Sequence, residues 1–260
     1  MLPPVVLAAF GTTTRAFATY EILDRVIRRN LPQAQIHWSY TSRRVREKAR
    51  TSEQENLLSP GQVLDGLYQE GHPWAVVQSL HFLCGHEFER LVEEARESPV
   101  RTSMGLPLLS DPQDYYRVIR GIGQEFYPSP ADQALLLIGH GTDHPAWACY
   151  PALERLFHLQ GWPRVFTGQI EGEPGRDEVI RQIELAGFTK VRLLPFMLVA
   201  GVHFLEDIQG AEDSWEAACR EAGLDVEVVP RGLGDREWLG EIFCSHIRSA
   251  MEATGETLPS

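Results

Sequence analysis

"VVLAAFGTT" occupies residues 5–13 and "ALLLIGHGT" residues 134–142. Each is a short apolar run that reaches a glycine and then threonine. A run of this length with such an ending reads as a buried strand of a parallel sheet followed by a loop. Matched to each other, the two place Phe10 opposite His140. A second pair lies further along. "AVVQSLHFLCGHEFERL" (75–91) matches "VRLLPFMLVAGVHFLEDI" (191–208), with Gly85 opposite Gly201 and Glu87 opposite His203. Two matched pairs in the same order point to an internal duplication.

Outward from these stretches, strand and helix patterns alternate. Strands are predicted at 4–9, 35–41, 74–83, 102–109, 134–142, 164–172, 190–198 and 224–229. Helices are predicted at 17–30, 60–70, 86–97, 111–125, about 147–160, 176–187, 205–222 and 236–253. Such alternation implies parallel sheets covered by helices on both faces. "YPSPADQ" (127–133) has the composition of a linker. The expected fold class is therefore α/β, with two facing Rossmann-like lobes. The N-terminal lobe is 1–127 and the C-terminal lobe 133–260, with the last helix, 236–253, free to pack back onto the first.

The chain has 260 residues, 43% hydrophobic and 23% charged, with a net charge of −12. That charge excludes nucleic acid and anionic membrane as general partners. No apolar stretch approaches the ~20 residues that span a bilayer. "MLPPVVLAAFGTTT" has no basic flank and reads as a first strand rather than a signal peptide, so a cytoplasmic location is expected. Cys84, Cys149, Cys219 and Cys244 form no C-x-x-C pair. They read as reduced, scattered thiols.

Three residues past strand ends stand out. His140 sits between Gly139 and Gly141, Glu171 lies in "TGQIEGEPG", and His203 lies in "LVAGVHF". Each has an ordinary reading: a loop histidine, a helix N-terminal acid (with Glu173 a neighbouring competitor), and a core histidine. Together, two imidazoles and a carboxylate from successive strand–helix units suit a divalent first-row metal. The set matches neither the H-E-x-x-H nor the C-x-x-C pattern. In such sheets ligands bind at the carboxyl ends of strands.

"LLLIGHGT", "GQIEGEPG", "LLPFMLVAGVHF", "VQSLHFLCGHEFE" and "VPRGLGD", with "AAFGTTT", "YTSRRV" and "GLPLLSDPQDY", resemble the class II chelatases over nearly the whole chain. The likeness is greatest to the anaerobic, early-cobalt-insertion sirohydrochlorin cobaltochelatases. That resemblance implies chelatase-like lobes, with His140, Glu171 and His203 as metal ligands in the second lobe and both histidines catalytic. It implies insertion of Co2+ into sirohydrochlorin (or precorrin-2), with release of two protons, in anaerobic cobalamin biosynthesis. Fe2+, giving sirohaem, and Ni2+ stay open as metals, and no cofactor beyond the substrate metal is implied. The other reading is a non-catalytic tetrapyrrole- or metal-binding two-lobed protein. Two positions depart from relatives: Val202 and His86 stand where acidic residues are common.

The chemistry suits these groups. Neutral imidazole both ligates a first-row cation and accepts a proton near neutral pH. Thiolates would hold the metal too tightly for transfer. A polycarboxylate substrate meets an acidic protein, so local cations are needed. "TSRRVREKAR" (41–50) supplies them, with Arg43 and Arg44 nearest a strand end. Thr12 and Thr13 are candidate donors to substrate carboxylates. Ser79, Leu80 and His81 are candidate substrate wall. Whether the chain forms a homo-oligomer is open.

Overall fold

The computed structural model describes residues 2–12, 18–51 and 57–253, with side chains for all of these except 50, 51 and 202–205. The elements run β1 (Val5–Ala9), α1 (Ala18–Asn30), β2 (Ile36–Tyr40), α2 (Arg43–Thr51), α3 (Pro60–Gln69), β3 (Trp74–Ser79), α4 (His86–Glu97) and β4 (Arg101–Gly105). They continue with α5 (Pro112–Phe126), β5 (Gln133–Gly141), α6 (Cys149–Leu159), β6 (Val165–Glu171), α7 (Arg176–Leu185), β7 (Lys190–Pro195), α8 (Val202–Gln209), α9 (Trp215–Glu221), β8 (Asp225–Val228) and α10 (Glu237–Glu252). The chain divides into two compact units, Met1–Ser110 with Asp235–Ser260, and Asp111–Gly234.

Each unit holds one four-stranded parallel sheet. The orders are β2-β1-β3-β4 and β6-β5-β7-β8. The same order occurs twice, so β1 corresponds to β5, β2 to β6, β3 to β7 and β4 to β8. β1 is buried throughout because helices cover both its faces, which is why it reads as an unbroken apolar run. In the first unit, Val6, Ala8, Ala75 and Val77 meet Val63, Leu64 and Leu67 of α3 and Leu91 and Ala95 of α4. α10 packs on β3, β4 and α1. It comes so close to α1 that a Cβ on Gly240 would lie 2.6 Å from Val26. Arg248 donates to the Asn30 carbonyl (2.9 Å), and Ser103 to that of Ala250 (2.6 Å). In the second unit, Ala134, Leu136 and Ile138 of β5 pack against Val179 and Ile183 of α7 and Trp215 of α9.

Several boundaries differ from the sequence reading, among them β4, which ends at Gly105 rather than 109. The units divide at Ser110 and Asp111, not in 127–133. α5 packs on α6, and the segment after it is tied into the second unit. Arg164 donates to the carbonyls of Pro128 (2.8 Å) and Pro130 and stacks 4.5 Å over Tyr127, while Arg192 donates to that of Phe126 (2.8 Å). An Asp111–Asp114 capping box with Pro112 starts α5 at the division itself. The helix expected over 205–222 is two helices. A Cβ on Gly210 would meet the Glu206 carbonyl at 2.3 Å, Asp213 takes φ 54°, and Ser214 caps a new helix by accepting from Ala217 N–H at 3.1 Å. β3 and β7 end earlier than expected, at Ser79 and Pro195. From each a loop runs to an extended glycine, Gly85 or Gly201, that caps the next helix.

Candidate active site

His140 is the penultimate residue of β5 and Glu171 the last of β6. In the parallel register Glu171 pairs with Gly141, one residue beyond His140. Successive side chains alternate faces, so Glu171 shares its face with Gly141 rather than with His140. The two side chains can therefore meet only over the strand ends. Both are exposed there, at the carboxyl edge where α/β sheets take ligands. The His140 ring lies against its own loop, Nδ1 3.4 Å from the Gly141 carbonyl.

Glycine is required at 141. Its φ is +90°, and an added Cβ would stand 1.7 Å from the Glu171 carbonyl oxygen. α6 holds this turn from behind. A Cβ on Gly139 would strike the Tyr150 ring at 2.2 Å, and Tyr150 is hydrogen-bonded to the Gly141 backbone. Burial pushes the Tyr150 phenol up to about 12. It stays protonated at neutral pH and acts as a clamp, not as a base. The first unit repeats the device: Gly11 (φ +102°) donates to the buried Tyr20 hydroxyl at 3.2 Å, and burial raises that phenol too.

His203 is the second residue of α8, after the Gly201 cap. α8 follows β7, which pairs with β5 on the side away from β6. The backbone origins of Glu171, His140 and His203 thus follow the adjacent strands β6, β5 and β7.

The equivalent edge of the first unit carries Phe10, 49% exposed, where the second carries His140. Glu87, second in α4, stands where His203 stands. Glu87 accepts from the Thr41 hydroxyl at 3.1 Å and from Arg90 at 2.7 Å. Thr41 lies 3.3 Å from His81 Nε2, and the Ser79 hydroxyl 2.9 Å from His81 Nδ1. Because Thr41 donates to Glu87, the network assigns the ring proton to Nε2 and makes Nδ1 the acceptor from Ser79. Burial drives His81 down to about 4, so it is neutral at pH 7. Glu87 was missing from the candidates read from sequence, although its match to His203 was the available signal.

The other candidates lie at or just past the carboxyl ends of β1, β2 and β3, adjacent strands of the first sheet. Thr12 is buried at 8% exposure, and Thr13 lies outside the described residues. Arg43 and Arg44 begin α2 and are exposed; Arg43 pairs with Glu47 at 2.8 Å. Arg46 instead turns back onto the carbonyls of Tyr40 and Thr41 (2.9 Å to the latter). Ser79 and Leu80, expected on the substrate wall, are buried behind His81, with the Ser79 hydroxyl committed to its ring.

Two sheets of this order recur in solved structures of similar fold. SirB from Bacillus subtilis with Fe3+ superposes with a TM-score of 0.68 at 17% identity, covering 98% of each chain. CbiX, titled the terminal enzyme for biosynthesis of siroheme in denitrifying bacteria, gives 0.56 at 18% identity over 95% of this chain and 99% of that one. These likenesses show the fold: two four-stranded parallel sheets flanked by helices. The family model of cobalt chelatase (CbiK) matches residues 4–252, and the chain belongs to that family. It is a metal chelatase. It is 28% identical to a sirohydrochlorin cobaltochelatase of Salmonella typhimurium over 262 residues, 98% of this chain and 99% of that one. It is 29% identical to the sirohydrochlorin cobaltochelatase CbiKC of Nitratidesulfovibrio vulgaris, over 96% of this chain and 90% of that one.

Proposed function

We propose that the protein inserts Co2+ into sirohydrochlorin, exchanging the cation for two pyrrole protons, in anaerobic cobalamin formation. The single observation behind this is the succession of Glu171, His140 and His203 along β6, β5 and β7 in a chain of the cobalt chelatase family. Glu171 and the two imidazoles ligate the incoming cation, and the imidazoles take up the pyrrole protons. Fe2+ in place of Co2+ would give sirohaem by the same exchange. Arg43 and Arg44 meet substrate carboxylates, with Thr12 and Thr13 as hydroxyl donors. Ser79 and Leu80 hold His81 from behind. The reaction is placed in the cytoplasm, where the four free cysteines stay reduced. No described helix is long and apolar enough to cross a membrane.

The test mixes purified protein, sirohydrochlorin and Co2+ and follows the absorption of the ring. Acceleration over a protein-free control is expected, and an unchanged rate would overturn the proposal.

A further inference from the structure

β6 is an outer strand of its sheet, paired with β5 alone. An outer strand turns a row of amides and carbonyls away from the sheet, where another chain can pair with them. With seven residues β6 is longer than the other outer strands, β2, β4 and β8, which have five, five and four. "VFTGQI" (165–170) carries no charge and no proline, so nothing in its own sequence blocks pairing.

The register shows which groups point outward. Leu135 of β5 pairs with Val165 and donates to the Arg164 carbonyl at 2.8 Å. In a parallel ladder a residue bonds the carbonyl before its partner and the amide after it. Arg164 and Phe166 therefore turn their main chain inward to β5, and Val165 and Thr167 outward. α6 meets both of the latter. His158 Nε2 lies 2.7 Å from the Val165 carbonyl, which can only accept, so the ring donates from Nε2. Glu154 accepts from the Thr167 amide at 2.6 Å and from its hydroxyl at 3.2 Å. A donor to Val165 and an acceptor from Thr167 are what one residue of a fifth strand would supply opposite Phe166. The first unit has a counterpart. α1 carries Tyr20, Asp24 and Arg28 at the spacing of Tyr150, Glu154 and His158, and Arg28 donates to the Ile36 carbonyl at 3.2 Å. Ile36 pairs with Val5 of β1 as Val165 pairs with Leu135 of β5. Asp24 turns instead to the Trp38 indole (2.9 Å), and the Tyr40 amide donates to the Leu58 carbonyl (2.9 Å).

We propose that Glu154 and His158 stand in for a fifth strand and shut the β6 edge to main-chain pairing with a second copy of this chain. The two lie four residues apart on one face of α6. Tyr150, four residues earlier, is bonded to the Gly141 backbone, so one stripe of the helix both holds the end of β5 and covers the edge of β6. Neither Glu154 nor His158 belongs to the proposed metal site, and the edge cap does not rest on it.

The test joins hydrogen exchange at the Thr167 amide to sedimentation velocity over a range of protein concentrations, on the full chain without tetrapyrrole. Glu154→Ala with His158→Ala should speed Thr167 exchange about tenfold or more in dilute solution. As concentration rises, that variant should associate beyond the wild-type state, and Thr167 should become protected again. Glu154→Gln with His158→Gln keeps an acceptor and a donor and should behave as wild type. If the alanine pair fails to fold, Glu154→Ala alone, with the His158 bond kept, is read in the same way. Unchanged Thr167 exchange in the alanine variant would overturn the proposal. So would fast exchange at every concentration with no association beyond wild type, or association of the glutamine pair equal to that of the alanine pair.

Discussion

Gly141 decides how close β5 and β6 come at their carboxyl ends. Any side chain there meets the Glu171 carbonyl and must also adopt φ near +90°. Gly141→Ala should cost about 3 kcal/mol, seen as a lowered thermal midpoint, and should weaken Co2+ binding by displacing Glu171. A wild-type midpoint would mean that the strands can part without strain. Next to it, His140→Ala should lower single-turnover cobalt insertion about 10²-fold, the scale of a lost general base, while tetrapyrrole affinity stays unchanged. Glu171→Ala should raise the Co2+ dissociation constant about tenfold; calorimetry showing wild-type affinity in a folded variant would remove Glu171 from the ligand set. Among single residues, the placement of His140 and Glu171 at strand ends was legible because a polar residue at the end of an apolar run announces itself. The Gly141–Glu171 approach and the Tyr150 clamp were not, since both depend on residues distant in sequence that only the register brings together.

α2 presents Arg43 and Arg44 to solvent in its first turn. The Arg43–Glu47 pair is exposed and weak, so it yields readily to a substrate carboxylate. Arg43→Ala with Arg44→Ala should chiefly raise the Michaelis constant for sirohydrochlorin and flatten its dependence on salt; an unchanged salt dependence would place the carboxylates elsewhere. The loop after β3, the end of β2 and α4 are joined through His81. Its pKa in the fold is about 4, below the ordinary 6.5. Between these values the unfolded chain takes up a proton that the folded one refuses, so stability is full above pH 6.5 and falls as pH drops towards 4. The loss across that window should reach about 3 kcal/mol. Denaturant titrations of wild type and His81→Asn at pH 7 and pH 4.5 would show it as a slope missing from the variant; parallel curves would contradict the burial of the ring. Periodicity located most helices and strands, but the α8–α9 break escaped it. Nothing in a helical period records that Gly210 lacks room for a side chain or that Ser214 caps a fresh start.

At the scale of the molecule, the duplication was legible because both sheets reuse one strand order and the same glycine-ended first strand. The division of the chain was not. "YPSPADQ" has a linker's composition, yet Arg164 and Arg192 bind that region into the second unit from far along the sequence. A chain stopped after Gly234 should keep its second sheet and lose protection in its first. Hydrogen exchange should find β5 and β7 amides slow and β1, β3 and β4 amides fast. Native-like protection in β3 would show that α10 is dispensable to the unit it covers.

The first unit is assembled from the two ends of the chain, and that has a consequence in time. A ribosome issues residues in order, at about 5–20 per second. The 124 residues from Asp111 to Gly234 separate the unit's first segment, which ends at Ser110, from the segment that leads into α10. For roughly 6–25 s, therefore, the nascent chain carries an unlidded α1 and β3 while the later-encoded half is completed. The half made first is finished last, and its greasy flank is open to chaperones and to other nascent chains throughout the wait.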